Sequence, residues 1–265
     1  IELEKAIRVS IDEGKQPIFV GATAGTTVRG TFDPLSKIAD ICDKFNLWFH
    51  VDASWGGSVI ISSKHNHLLN GVDRSNSLTW CAHKMMGMPL MCTAALFKDS
   101  SILQKINSVH GTDYLFHDDI DNNINLGEHS LQCGRRTDAV KLWLSWKYLG
   151  DKGFEKNIDH IFDMAQYARN KIEASKLLKL ITPVESLNIC FQIQPEAIQP
   201  SDWNNFNIQV REEILENGKI MVNYASIKDT TCFRLITSNF KLNQKDLDFF
   251  FSELEETVFS LLATK

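Results

Sequence analysis

A chain of 265 residues that is 43% hydrophobic and 23% charged can bury one large core or two modest ones, and it does not have the composition of a disordered polymer. Its net charge of −5 and its lack of basic runs exclude the electrostatic footprint of a nucleic-acid or anionic-membrane binder. No apolar stretch approaches a membrane span, and the six cysteines form no C-x-x-C pair. They sit mostly in apolar runs, which implies reduced thiols, a cytoplasmic location and no local metal site.

The chain opens inside an amphipathic helix (Leu3 to Asp12) without an initiator methionine, so a fragment, a processed chain or half of a larger unit is expected. Pro17–Thr23 then has the apolar run of a buried strand and leads into Ala24-Gly25-Thr26-Thr27. In that small-residue turn, backbone amides and two hydroxyls can approach a ligand. Asp33 and Pro34 read as the N-cap and first position of a helix whose apolar face is Leu35, Ile38, Ala39, Ile41, Cys42 and Phe45. Leu47–Ala53 is the next strand. Strand, helix, strand in this spacing is a βαβ unit, so the two strands should be parallel.

Ser77–Ala82 makes a third strand, and Leu90–Phe97 an antiparallel fourth after a short gap. His110–His129 is a polar loop of functional length. From Thr137, Val140, Leu142, Trp143, Leu144, Trp146 and Leu149 predict a strongly buried helix stopped by Gly150, and Phe154–Ser175 a long amphipathic one. Short strands follow at Leu178–Ile181, Ile189–Ile193, Lys219–Tyr224 and Cys232–Thr237. Helices at Trp203–Glu216 and Gln244–Leu262 accompany them. This gives an α/β part, residues 1–150, and a smaller α+β part, residues 151–265, with the boundary near Gly150–Gly153.

Two strands end on charge. Leu47–Ala53 delivers Asp52 beside Ser54, Gly56 and Gly57; Ser77–Ala82 delivers His83 and Lys84 beside Gly87. Ligands of open parallel sheets sit at the carboxyl ends of the strands. Either residue alone is an ordinary solvated side chain. Together they suit a cofactor that needs an amine and an anion: a partly desolvated lysine forms Schiff bases, and an aspartate keeps a pyridine nitrogen protonated. His50 reads as a packed strand residue, His65 and His67 as surface, and Trp80, Trp143 and Trp146 as core. Arg135 and Arg136 read as structural or interface charges.

The stretches TAGTT (Thr23–Thr27), FDPL (Phe32–Leu35), HVDASWGG (His50–Gly57), HKMMG (His83–Gly87), YLF (Tyr114–Phe116), QCGRR (Gln132–Arg136) and CFRLITSN (Cys232–Asn239) occur in this order. In them the chain resembles the group II pyridoxal-phosphate decarboxylases, in the branch of glutamate and cysteine sulfinate decarboxylases. The resemblance implies the type I pyridoxal-phosphate fold, with residues 1–150 as part of the large cofactor-binding domain and residues 151–265 as the small one. It also implies pyridoxal 5'-phosphate as cofactor and a homodimer with the site at its interface. The implied activity is decarboxylation of a small acidic amino acid (glutamate, cysteine sulfinate or aspartate) to the amine.

By that resemblance Lys84 carries the cofactor, Asp52 partners the pyridinium, Ser54 packs against the ring, His83 contacts the phosphate, and Thr27 places a hydroxyl near ring or phosphate. Arg234 grips the distal acid of the substrate. The sequence departs from the family in three ways. The half that supplies a ring-stacking histidine and a phosphate loop is absent from this sequence; Cys81 stands where asparagine is usual; and no tyrosine lies between Phe116 and Gln132 to protonate the quinonoid carbon. These departures leave two alternatives open: an association partner without full activity, or an enzyme prone to decarboxylation-dependent transamination.

Overall fold

The structure, a computed structural model, describes residues 2–107, 130 and 136–263. The polar loop His110–His129, the YLF stretch, Cys133 and Arg135 lie outside the described residues. Two four-stranded sheets organise the rest. The first has the order β1 (Phe19–Thr23), β2 (Trp48–Ala53), β3 (Ser77–Cys81), β4 (Thr93–Phe97). β1 pairs with β2 and β2 with β3 in parallel, while β4 returns antiparallel to β3, as the spacing predicts. Helices α1 (Glu2–Asp12), α2 (Leu35–Phe45) and the short α3 (Ile102–Asn107) accompany it.

Local chemistry explains the crossover between β1 and β2. Helix α2 stops at Asn46, which takes the left-handed conformation (φ 52°) that Asn tolerates better than most residues; its N–H and that of Leu47 close back on Cys42 and Asp43 carbonyls. Asp33 does not act as the expected N-cap. Pro34 occupies that position, and the Asp33 carboxylate instead accepts the Thr23 N–H at 2.8 Å, tying the end of β1 to the start of α2. Along β2, Phe49, Val51 and Ala53 are buried in the core while Trp48, His50 and Asp52 face the other way, the period-2 pattern of a strand with two unlike faces.

Helix α4 (Asp138–Ala174) breaks at Gly150, whose φ of 64° and ψ of 178° are non-helical. After the break Phe154, Ile158, Ile161, Ala165, Ala168 and Ile172 pack inward. Before it, the expected burial is only half met. Leu142, Trp146 and Leu149 pack against the apolar cluster under β3, but Val140, Trp143, Leu144 and Tyr148 are exposed, Tyr148 at 89%. Trp143, expected in the core, is therefore on the surface. The segment is apolar nearly all round, so periodicity marks it as a helix without deciding which side finds a neighbour.

The second sheet has the order β5 (Leu178–Leu180), β6 (Asn188–Ile193), β8 (Thr230–Ile236), β7 (Asn223–Ile227), all antiparallel, with α5 (Trp203–Asn217) and α6 (Gln244–Ala263) packed on it. The strand expected at Lys219–Tyr224 lies at Asn223–Ile227: residues up to Val222 continue the turn after Gly218, the left-handed C-cap of α5, and the hairpin register with β8 sets where pairing starts. One apolar cluster runs from Val20, Phe49 and Val51 through Ile158 and Ala168 to Phe191, Phe233 and Phe251, so the two sheets share a core.

A second cluster of Ala82, Met86, Met88, Cys92 and Phe154 underlies the turn that carries Lys84. Phe154 is fully buried there. Replacing it with alanine is expected to lower unfolding free energy by about 3–5 kcal/mol, the usual result of emptying a phenylalanine site in a packed core. Urea unfolding measures this, and a loss below about 1 kcal/mol would mean that the turn does not depend on that cluster.

Candidate active site

Because β1, β2 and β3 are parallel, Thr23, Ala53 and Cys81 finish on one edge of the sheet. The segments that follow them line that edge: the Ala24–Thr31 turn, Ser54–Gly57 and Ala82–Gly87. The Ala24 N–H bonds the Asp52 carbonyl at 2.8 Å, and the Gly56 N–H bonds the Ala24 carbonyl at 2.9 Å, so the first two segments are stitched together. Gly25 makes that approach possible. Its φ is +86°, and an added Cβ would stand 2.8 Å from Gly56 N and 2.7 Å from Trp55 Cδ1.

Asp52 stands on the open face at the end of β2, and its Oδ1 accepts the Ser54 N–H at 3.0 Å. Burial pushes its pKa up. Hydrogen bonds from the Ser54 side chain and backbone and the fields of Lys84 and His50 outweigh that penalty, and the carboxyl rests below its usual 3.8. Asp52 is therefore held ionised.

Lys84 sits in a tight turn after β3, closed by bonds from its N–H to the Cys81 carbonyl (3.3 Å) and from the Gly87 N–H to its own carbonyl (3.1 Å). Met85 and Met86, both fully buried, enter the two apolar clusters and pin the turn, leaving Lys84 half-buried at the edge. His83 Nδ1 lies 3.0 Å from both the amide nitrogen and the carbonyl oxygen of Cys92. The backbone thus grips the ring by one nitrogen, and Nε2 remains for a further partner. The Cys81 thiol is buried against Thr93 Oγ1 at 3.3 Å, so it braces β3 to β4.

Thr27 and Arg234 belong to a second group. Asn188 Nδ2 donates to the Thr27 and Val28 carbonyls at 2.9 and 3.0 Å, Cys190 Sγ contacts the Val28 carbonyl at 3.3 Å, and Ser186 Oγ donates to the Gly30 carbonyl at 2.9 Å. These bonds clamp the turn onto β6. Arg234 lies opposite Cys190 in register on β8, with Asn223 opposite it on the other side. It is half-buried, and its Nε has no hydrogen-bond partner among the described residues. Burial draws the guanidinium pKa down, partly offset by Cys190. Asp52, Ser54, His83 and Lys84 therefore share one strand edge, whereas Thr27, through its carbonyl, and Arg234, through its register, each adjoin β6 of the second sheet, which the Ala24–Thr31 turn ties to that edge.

Sequence reasoning missed the clamp residues Ser186 and Asn188 and the engagement of His50. The signal for the first two was a pair of polar residues, one just before β6 and one at its first position, in a strand all six residues of which are buried. His65 stacks on Phe162 with ring centroids 3.8 Å apart, and no group of three or more His, Cys, Asp or Glu among the described residues has a metal-binding arrangement. No helix among them is long and apolar enough to cross a membrane.

Residues 1–194 match the family model described as the pyridoxal-dependent decarboxylase conserved domain. The chain is 39% identical over 267 residues to cysteine sulfinic acid decarboxylase of Mus musculus, covering 96% of this chain and 54% of that protein. It thus spans about half the length of the curated relative it matches. The crystal structure of mouse CSAD in apo form superposes with a TM-score of 0.89 at 38% identity, over 96% of this chain and 55% of that one. Oryza sativa TDC with PLP and tryptamine superposes with a TM-score of 0.91 at 24% identity, over 98% of this chain and 54% of that one, a likeness of fold.

Proposed function

The chain belongs to the pyridoxal-dependent decarboxylase family, and from that membership and the strand-edge geometry we propose that its protein removes the α-carboxyl group of a small acidic amino acid, cysteine sulfinate, glutamate or aspartate. Its fold is the type I pyridoxal-phosphate fold. The proposed cofactor is pyridoxal 5'-phosphate, and the donor set fits it. Asp52 is a carboxylate held ionised, Lys84 is a primary amine half withdrawn from water, and His83 has Nε2 left over once its Nδ1 accepts the Cys92 N–H.

In this reading Lys84 anchors the cofactor covalently, and Asp52, oriented by Ser54, holds a proton on the pyridine nitrogen. His83 Nε2 donates toward the phosphate, with Thr27 contributing its hydroxyl from the turn. When bound, pyridoxal phosphate supplies the electron sink for the pair left behind as CO₂ departs. Lys84 sits where an amine can take and return the proton at the reacting nitrogen, and the clamped Ala24–Thr31 turn helps keep water from that edge.

One observation carries the acidic-substrate reading: the buried Nε of Arg234 lacks a partner among the described residues. A buried donor left unpaired costs about 1–3 kcal/mol, so the site calls for an acceptor, and a planar guanidinium suits a carboxylate or sulfinate. The test is CO₂ release by the full-length protein with added cofactor; no release from any of the three acids refutes the proposal. Arg234→Met is expected to raise KM for the preferred acid about 10²-fold, with Arg234→Lys recovering only part of it. An unchanged KM would remove Arg234 from the substrate site.

A homodimer and a cytoplasmic setting complete the proposal. The exposed stripe of Val140, Trp143, Leu144 and Tyr148 on α4 supports association, and five free, buried thiols among the described residues support a reducing compartment. Division of function near Gly150, into a cofactor-binding part and a C-terminal part that presents Arg234, goes with this reading.

A further inference from the structure

The open face of the first sheet holds its polar residues in two rows. Gly21, His50 and Ser77 lie side by side in register, and Thr23, Asp52 and Thr79 form the next row toward the strand ends. His50 and Asp52 thus share a strand face two residues apart. The His50 ring is stacked on Phe19 with centroids 5.9 Å apart and planes at 24°, so its orientation is set by more than one contact.

The hydrogen bonds around His50 also select its tautomer. Trp48 Nε1–H, which can only donate, reaches Ser77 Oγ at 2.8 Å, and the same oxygen is 2.7 Å from His50 Nδ1. Ser77 is 6% exposed, and a buried hydroxyl proton needs an acceptor. Among the described residues that acceptor is His50 Nδ1. With Nδ1 accepting, the proton of the neutral ring is on Nε2. Nε2 is 3.4 Å from Thr79 Oγ1, and Thr79 is the residue paired with Asp52 across the strands. The donor end of the ring therefore faces the Asp52 row, and Gly21 on the other side adds no side chain that would displace the ring.

We propose that His50 is a positioning residue for Asp52: the chain Trp48→Ser77→His50 fixes the imidazole with its Nε2–H toward the Asp52–Thr79 row, where it helps keep the aspartate charged. Burial opposes that charge, and Lys84, the cation acting on Asp52, is committed to the cofactor in the reading above. His50 supplies a favourable field that does not depend on the state of Lys84. The inference rests on the proposed role of Asp52 as the partner of the pyridine nitrogen.

Equilibrium binding of pyridoxal 5'-phosphate to the full-length protein tests this without reference to turnover. The comparison uses His50→Gln, His50→Asn and Ser77→Ala. A glutamine amide reaches the position of Nε2, whereas an asparagine amide reaches only that of Nδ1. The expected result is cofactor affinity lowered about tenfold in His50→Asn, the size of one hydrogen bond near a charge, and restored to within about twofold in His50→Gln. The thermal midpoints of the cofactor-free variants should match. Ser77→Ala keeps the ring but releases its tautomer, and it is expected to weaken binding about threefold. Equal affinities for the asparagine and glutamine variants overturn the proposal. Should both histidine variants fail to fold, wild-type affinity in Ser77→Ala overturns it instead. A wild-type protein that binds no cofactor removes the reading beneath the proposal, an outcome distinct from a wild type that binds it while the variants do not differ.

Discussion

Lys84→Ala is expected to abolish the visible absorbance of the bound cofactor and to lower CO₂ release by about 10³-fold or more, the scale of losing a nucleophile that also handles protons. The turn that carries Lys84 is held by Met85 and Met86 and not by the lysine, so the thermal midpoint should change little. Lys84→Arg makes the point sharper. It keeps a cation near Asp52, but a guanidinium does not lose its proton in a protein and cannot form the bond, so it should be as inactive as the alanine variant. Activity within about tenfold of wild type in either variant would mean that the amine is not the anchor.

Asp52→Asn is expected to leave cofactor attachment through Lys84 intact while reducing turnover about 10²–10⁴-fold. The amide has nearly the same shape and can still accept the Ser54 N–H, so the loss isolates the negative charge. The direction of the pH dependence follows from the same carboxyl. Its folded pKa lies below 3.8, so the charge is present above that value and is lost only as pH falls through the depressed pKa. Any acid limb in the rate profile near an ordinary glutamate value would belong to another group. An asparagine variant that keeps wild-type turnover would show that the ring nitrogen needs no anionic partner here.

Some features of the protein could be read from residue order alone. The parallel pairing of β1 with β2 was legible because a strand, a capped amphipathic helix and a second strand leave few alternatives. Asp52 and Lys84 were legible because charges that end buried runs stand out against apolar neighbours. The buried half of α4 and the helices α5 and α6 followed from spacing, within the residue or two by which helix ends commonly differ. Where spacing was silent, the reading slipped: Lys219–Tyr224 has strand-like residues, but pairing with β8 begins only at Asn223, a matter of register with a distant strand.

By itself, then, the sequence determined the element types, the two charged strand ends and the small-residue turn, since these depend on local sterics and on which side chains avoid water. The tertiary structure alone decided four further matters. Asn188 and Ser186 clamp the Thr26–Gly30 backbone, and Cys190 and Arg234 come opposite one another. Trp143 faces outward while Trp146 packs inward. His50, in the sequence a packed strand residue, engages Ser77 through one ring nitrogen and turns the other toward the row of Asp52. Each of these is a partnership between residues far apart in the chain. A hydrogen bond or a buried face is a property of two surfaces, and the second surface is chosen only when the sheets pack.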